Sequence, residues 1–349
     1  MRRIFLIAVF AVSSSLVALH AADDLVLARF GEYLDSIRTQ AGIPGLAATI
    51  IGPSEMQWER AFGQQNIERA MTTLPSTAFH LDALTQVLTA SMILRCVEEG
   101  RLTLNDRIGT YAPDAADPNA TLAQLLSHTS GNGDNLTFAY RPERLNALAP
   151  ALTACSGEPY RLTVAEWLEA RLMMDSVPGP DVVDMLPAGF PPSTIDRYRS
   201  VLSKLAVPYA VDAQGRASPS RYVSTTLTPA GGLISTARDL VQFDLALKKG
   251  VLLRAETIAQ AWTPPVGRQG QRLPHGLGWF VQSYAGEPVV WQFGVGENSS
   301  SSLLITLPRR GLTLVLLANS DGLARPFALA AGDLTVSPFG RLFLGIFVR

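Results

Sequence analysis

The side chains able to do chemistry in this sequence are few and scattered. Nucleophilic catalysis needs a hydroxyl or thiol with a base or cation within hydrogen-bond reach. Only three lysines occur, Lys204, Lys248 and Lys249. No serine precedes any of them by three positions, and no Gly-x-Ser-x-Gly elbow is present. His128 sits in the turn Leu125-Leu126-Ser127-His128-Thr129-Ser130-Gly131, while His80 and His275 are isolated. Cys96 and Cys155 form no Cys-x-x-C or His/Cys cluster, so neither a metal nor a cofactor is expected. The hydroxyls worth naming are Thr85, Ser91, Tyr140 and the run Ser299-Ser300-Ser301-Ser302 after Glu297-Asn298. That run reads first as the polar entry to a strand, and Tyr140 as a buried hydroxyl with a partner.

The elements that would position these groups are legible from periodicity. Leu27, Phe30, Leu34, Ile37 and Ala41 repeat at helical spacing before Gly42 and Pro44. Leu46 to Ile51 is a strand ended by Gly52-Pro53, with Gln57 to Phe62 as its hairpin partner. A helix is predicted from Ala83 to Glu99, with Leu84, Leu88, Met92 and Cys96 on one face and Gly100 as its stop. Asp82, just before it, is expected to cap the free amides of the first turn. A largely helical middle follows, with segments Leu145 to Ala154 and Val164 to Met174, whereas residues 176–222 are rich in Pro and Gly and carry no assignment. Strands return at Val289 to Phe293, Ser301 to Leu307 and Leu312 to Ala318, the last two joined through Pro308-Arg309-Arg310-Gly311. Strands at both chain ends around a helical middle imply an α+β fold. Its antiparallel sheet is flanked by helices, with an inserted helical lobe at about residues 81–228 and a ligand cleft between the lobes.

Composition bounds the function. The chain has 349 residues, 47% apolar and 17% charged, enough for a large core, and its formal net charge of -1 gives no electrostatic footprint for nucleic acid. Arg2-Arg3, an apolar run from Ile4 to Val12 and small residues at Ala21-Ala22 read as a signal peptide over residues 1–22. The rest, 23–349, would be an exported domain, periplasmic or secreted. The same segment left uncut would anchor the chain in a membrane. Export permits a disulfide, yet Cys96 and Cys155 are read as two buried thiols serving as small apolar residues.

Several stretches resemble the serine β-lactamase and penicillin-binding-protein superfamily, in particular its class-C-like branch of esterases, D-peptidases and β-lactamases. They include Gly42-Ile43-Pro44-Gly45, Val97 to Asp106, Leu125 to Gly131, Gly231 to Leu240, Gly276-Leu277-Gly278-Trp279 and Leu317-Ala318-Asn319-Ser320. The resemblance implies that fold and, position by position, a degenerate active site. Phe79 to Ala90 looks like the nucleophile segment, with Ala83 at the serine and Gln86 at the lysine of Ser-x-x-Lys. Tyr140-Arg141-Pro142 fits the Tyr-x-Asn frame with Pro142 in place of asparagine, and Gln292-Phe293-Gly294 fits the strand motif with a neutral amide for the usual cation.

By resemblance the oxyanion hole would be the amides of Ala83 and Val295, and His128 would be structural. The binding cleft would comprise Asp82, Ala83, Gln86, Tyr140, Gln292, Gly294 and Val295. The implied function is a pseudoenzyme binding a small molecule, peptide or protein partner. Two other readings stand beside it: a hydrolase with a nucleophile displaced to Thr85, Ser91 or the 299–302 run, and a structural or regulatory partner protein.

Overall fold

The computed structural model describes residues 24–131, 136–184 and 189–348. The leader read at residues 1–22 lies outside them. Among the described residues no helix is long and apolar enough to cross a membrane.

Helix α1 covers residues 24–40, and the chain then turns at Gly42, whose φ of 66° is the left-handed stop its position suggested. Strands β1 (Gly45–Ile51) and β2 (Met56–Asn66) form the expected hairpin, followed by the short β3 (Met71–Thr72) and β4 (Phe79–His80). At the far end of the chain lie β8 (Phe280–Tyr284), β9 (Glu287–Gly296), β10 (Ser300–Leu307) and β11 (Leu312–Ala318). They close with the first strands into one seven-stranded antiparallel sheet, ordered β3-β2-β1-β11-β10-β9-β8. The two chain ends thus meet at the centre of the sheet, where β1 pairs with β11.

Side-chain alternation explains the layers. Along β11, Leu314, Leu316 and Ala318 join Trp291 and Phe293 of β9 in a cluster with Phe30 and Leu34 of α1 and Phe343 of α9 (Pro338–Phe347). Val315 and Leu317 face the other way, with Val290 and Leu304, into the core shared with the helices. Fully burying side chains of this size contributes about 1.5–3 kcal/mol each.

Helix α2 (Thr85–Glu98) occupies that second core. A one-sided apolar face was expected; instead ten consecutive residues, Thr85 to Leu94, are all buried, polar Gln86, Thr89 and Ser91 among them. The helix is a central post rather than a surface element, so its polar positions must find partners inside the protein. It ends at Gly100, φ 69°.

The chain enters the helical insertion past β4 and leaves it at β7 (Ile234–Ser235), and these two short strands pair with each other. Within it lie α3 (Leu122–Leu126), α4 (Leu148–Ser156), α5 (Tyr160–Val164) and α6 (Pro192–Leu202). Thr121 caps α3 in a reciprocal box with Gln124. The unassigned stretch 176–222 contributes α6 and a small hairpin, β5 (Tyr209–Val211) with β6 (Ala217–Pro219). Helices α7 (Ala237–Lys248) and α8 (Ala255–Ala261) return the chain to the sheet.

The reading of two free thiols is overturned, because Cys96 and Cys155 form a disulfide joining α2 to α4. Both cysteines are buried, which is what suggested plain apolar packing; their approach depends on how α4 docks on α2, which spacing alone does not reveal. A disulfide fits an oxidising, extracytoplasmic compartment.

Candidate functional site

Ala83 lies in a 3-10 turn, Asp82–Leu84, that leads directly into α2. Strand β9 is pressed against this turn. At Gly294 a Cβ would sit 2.1 Å from the carbonyl oxygen of Leu81 and 2.9 Å from the amide nitrogen of Leu84, so only glycine permits the approach. Ser302 of β10 adds a hydrogen bond to the same Leu81 oxygen at 2.7 Å. Ala83 itself is half-buried, and Val295, next along β9, is exposed.

Asp82 does not cap the helix as expected. It is the first residue of the turn, held at φ 49°, and the turn has no side-chain cap. Its carboxylate instead points across to the β9–β10 hairpin, where it accepts from Ser300 Oγ at 2.7 Å and from the Gly296 amide. The left-handed backbone turns the side chain away from the helix amides, and Asp is among the residues that tolerate this conformation. Burial pushes the Asp82 carboxyl up to about 7 against those two hydrogen bonds.

On the other side of Ala83 the polar groups form one directional chain. The Arg141 amide donates to His128 Nδ1 at 3.2 Å, so His128 carries its proton on Nε2 and donates to Gln86 Oε1 at 3.0 Å. Gln86 Nε2 then donates to Tyr140 Oη, and Tyr140 Oη to Gln292 Oε1, both at 3.5 Å. The Phe293 amide donates to the same Gln292 oxygen at 2.9 Å, which fixes that amide's orientation. Gln292 Nε2 turns to Gly278 O at 3.3 Å and His275 Nε2 at 3.4 Å. His275 ends the run by donating from Nδ1 to Gly276 O at 2.8 Å.

No member of this chain is charged. Burial lowers His275 to about 3 against its contacts with the Gly276 and Leu126 backbone, and burial lowers His128 well below its ordinary value, with the His275 imidazole, ring centroid 4.6 Å away, adding to the effect. Burial likewise raises the Tyr140 phenol above its usual range. Tyr140 stacks on Phe293 with ring centroids 5.3 Å apart.

The structure therefore brings together Asp82, Ala83, Gln86, Tyr140, Gln292 and Gly294. Pro142 opens the 3-10 turn Pro142–Ala147 and has no side-chain polar group to offer. His128 and His275, read separately as structural and as isolated, are in ring contact. Nothing in their spacing signals this, although each flanks a Gly-containing turn that the sheet brings to Gln292. Of the hydroxyls considered as alternative nucleophiles, Ser91 is engaged with Val87 O, Thr85 with the Leu233 amide, Ser300 with Asp82, Ser301 with Ser320 O and Ser302 with Leu81 O, and Ser299 meets the Ser300 hydroxyl at 3.5 Å. Lys248 is committed elsewhere, to Asp244 and the carbonyls of Ile51 and Gly52.

Comparison with known proteins gives the same fold. The chain is 25% identical over 304 residues to the putative penicillin-binding protein PbpX of Bacillus subtilis (strain 168), covering 77% of this chain and 69% of that protein. It is 21% identical over 301 residues to Protein flp of Staphylococcus aureus (strain MW2), of whose length it spans 60%. Among solved structures, the octameric penicillin-binding protein homologue from Pyrococcus abyssi superposes with a TM-score of 0.72 at 19% identity, over 91% of this chain and 77% of that one. The D-amino acid amidase from Ochrobactrum anthropi SV3 in complex with D-phenylalanine gives 0.68 at 17% identity, over 91% and 98%. The family model described as Beta-lactamase matches residues 28–161 and 181–335, and this chain belongs to that family.

Proposed function

We propose that this chain is an exported β-lactamase-family domain without acylation chemistry, which binds a ligand in the cleft around Ala83 and does not turn it over. The observation that carries this reading is the uncharged hydrogen-bond chain from His128 through Gln86, Tyr140 and Gln292 to His275. If Ala83 and Gln86 stand where active relatives hold serine and lysine, the site has neither an attacking oxygen nor a group to take its proton. Deleting a serine nucleophile elsewhere costs about a millionfold in turnover. The polar side chains that remain bind one another, so a cation introduced among them would be buried without a counter-charge.

The ligand class follows from the same chemistry. A wall of neutral amides and aromatic rings suits an uncharged, amide-bearing, peptide-like molecule better than an anion. The amide group is what such a molecule shares with the substrate class in the name of the D-amino acid amidase. The competing reading, a hydrolase with a displaced nucleophile, is disfavoured because Ser91, Ser301 and Ser302 donate to backbone carbonyls and Ser300 to Asp82, while Thr85 accepts from the Leu233 amide and Ser299 meets the Ser300 hydroxyl at 3.5 Å. Export rests on the leader-like sequence and the disulfide, with periplasm or external medium as the destination.

The test is intact-protein mass spectrometry after incubation with a fluorescent penicillin and, separately, an alkyl phosphonate. No mass increase is expected with either. Stoichiometric modification by one of them would refute the reading, and peptide mapping would name the hydroxyl responsible.

A further inference from the structure

A cavity opens on the side of the core bounded by α7, α8 and β10, with a volume of about 310 Å³. Its walls include Phe243, Leu247, Ile258, Trp262, Trp279 and Leu304. None of the groups around Ala83 lines it, and nothing in the reading above requires it.

Most polar groups in these walls have partners. Lys248 Nζ is ion-paired with Asp244 Oδ2 at 2.7 Å and donates to the carbonyls of Gly52 and Ile51 at 3.0 and 3.4 Å. Thr313 Oγ1 donates to Asp244 Oδ1 at 2.9 Å, leaving its lone pairs for the Thr306 hydroxyl at 3.2 Å. Trp262 Nε1 has no acceptor, but the atom is sealed from solvent and presents no donor to the open space. A charged group entering here would lose its hydration and gain no partner, whereas a flat apolar body would meet two indoles and a phenyl ring. A cavity of 150 Å³ lined by apolar side chains is enough for benzene, so about twice that volume has room for a fused bicyclic molecule.

We infer that this cavity is a binding site for a neutral, flat, aromatic-sized small molecule, held by Trp262, Trp279 and Phe243 and independent of the cleft at Ala83. The matched Lys248–Asp244 pair at its wall selects against anions.

Saturation-transfer NMR on the disulfide-intact chain, with naphthalene and with 2-naphthoate as probes, tests this. Naphthalene should bind saturably, and 2-naphthoate at least tenfold more weakly. Ala259→Trp, at an exposed position of α8 on the rim, should abolish naphthalene binding while leaving the melting temperature unchanged; Ala255→Phe is the second blocking variant should the first misfold. Absence of saturable naphthalene binding, equal binding of the two probes, or undiminished binding in a folded blocking variant would overturn the inference. None of these outcomes alters the expected behaviour towards penicillin or phosphonate, so the two readings fail separately.

Discussion

The two flanks of the 82–86 segment are built on opposite electrostatic plans. Towards the helical insertion, Gln86 joins a run of amide, phenol and imidazole groups that stays uncharged across the physiological range. Towards the β9–β10 hairpin, four residues earlier, Asp82 keeps an ionisable carboxyl whose proton is balanced near neutrality. Both flanks are buried. The difference shows that burial by itself does not dictate neutrality: Asp82 survives because Ser300 and the Gly296 amide stabilise its anion, a service no group provides to a cation at Gln86.

The most drastic way to break this contrast is Gln86→Lys. The ammonium would face the donating Nε2 of His128, losing the glutamine's accepting contact, and would have only the neutral Tyr140 oxygen to donate to. Stranded buried charges typically cost about 3–5 kcal/mol, so the melting temperature should fall by several degrees; an unchanged value would show that the cluster has room for a counter-ion or water.

A finer comparison uses pH. Asp82 binds its proton more tightly folded than unfolded, so its contribution to stability is complete below pH 3.8 and is lost as pH rises through about 7. Asp239, also raised to about 7, acts in the same direction, while His80 and His275, lowered to about 4 and 3, act oppositely between those values and 6.5. The measurement must therefore be a difference. Urea unfolding of the wild type and of Asp82→Asn, from pH 4 to 8, should show the wild type losing ground by at most about 1.4 kcal/mol per unit, with the loss levelling off as pH passes through about 7. Parallel curves would mean that Asp82 titrates normally.

Ser300→Ala removes the hydroxyl from that carboxylate and should cost about 1.5–3 kcal/mol at pH 8, where Asp82 is ionised, and less at pH 5. An equal cost at both values would place the loss in packing instead. The mildest change is Tyr140→Phe. It deletes two 3.5 Å contacts while keeping the ring stacked on Phe293, and about 1 kcal/mol or less is expected by thermal unfolding.

Much of the scaffold was legible because it rests on periodic burial. The apolar runs at 46–51, 301–307 and 312–318 became β1, β10 and β11 within a residue or so. Strand β8 was not anticipated, since Phe280 to Tyr284 alternates weakly at the sheet edge. What escaped the sequence was mostly contact between distant segments. The disulfide depends on the docking of α4 on α2, and the His128–His275 pair on a turn and a strand entry meeting at Gln292. Asp82 escaped for a local reason: a cap requires extended backbone, and this residue is left-handed at φ 49° instead. Gln86 and Gln292 were picked out by a family pattern, which says what is missing at a position but not what replaces it.

His128 and Tyr140 both lie between Cys96 and Cys155. A peptide bond cut anywhere in that interval would leave one covalent molecule rather than two fragments. Digests run without thiol would then show an undivided band, and the nick would become visible only after reduction. Survival of the band should accordingly not be mistaken for resistance to protease in the segment that carries His128 and Tyr140.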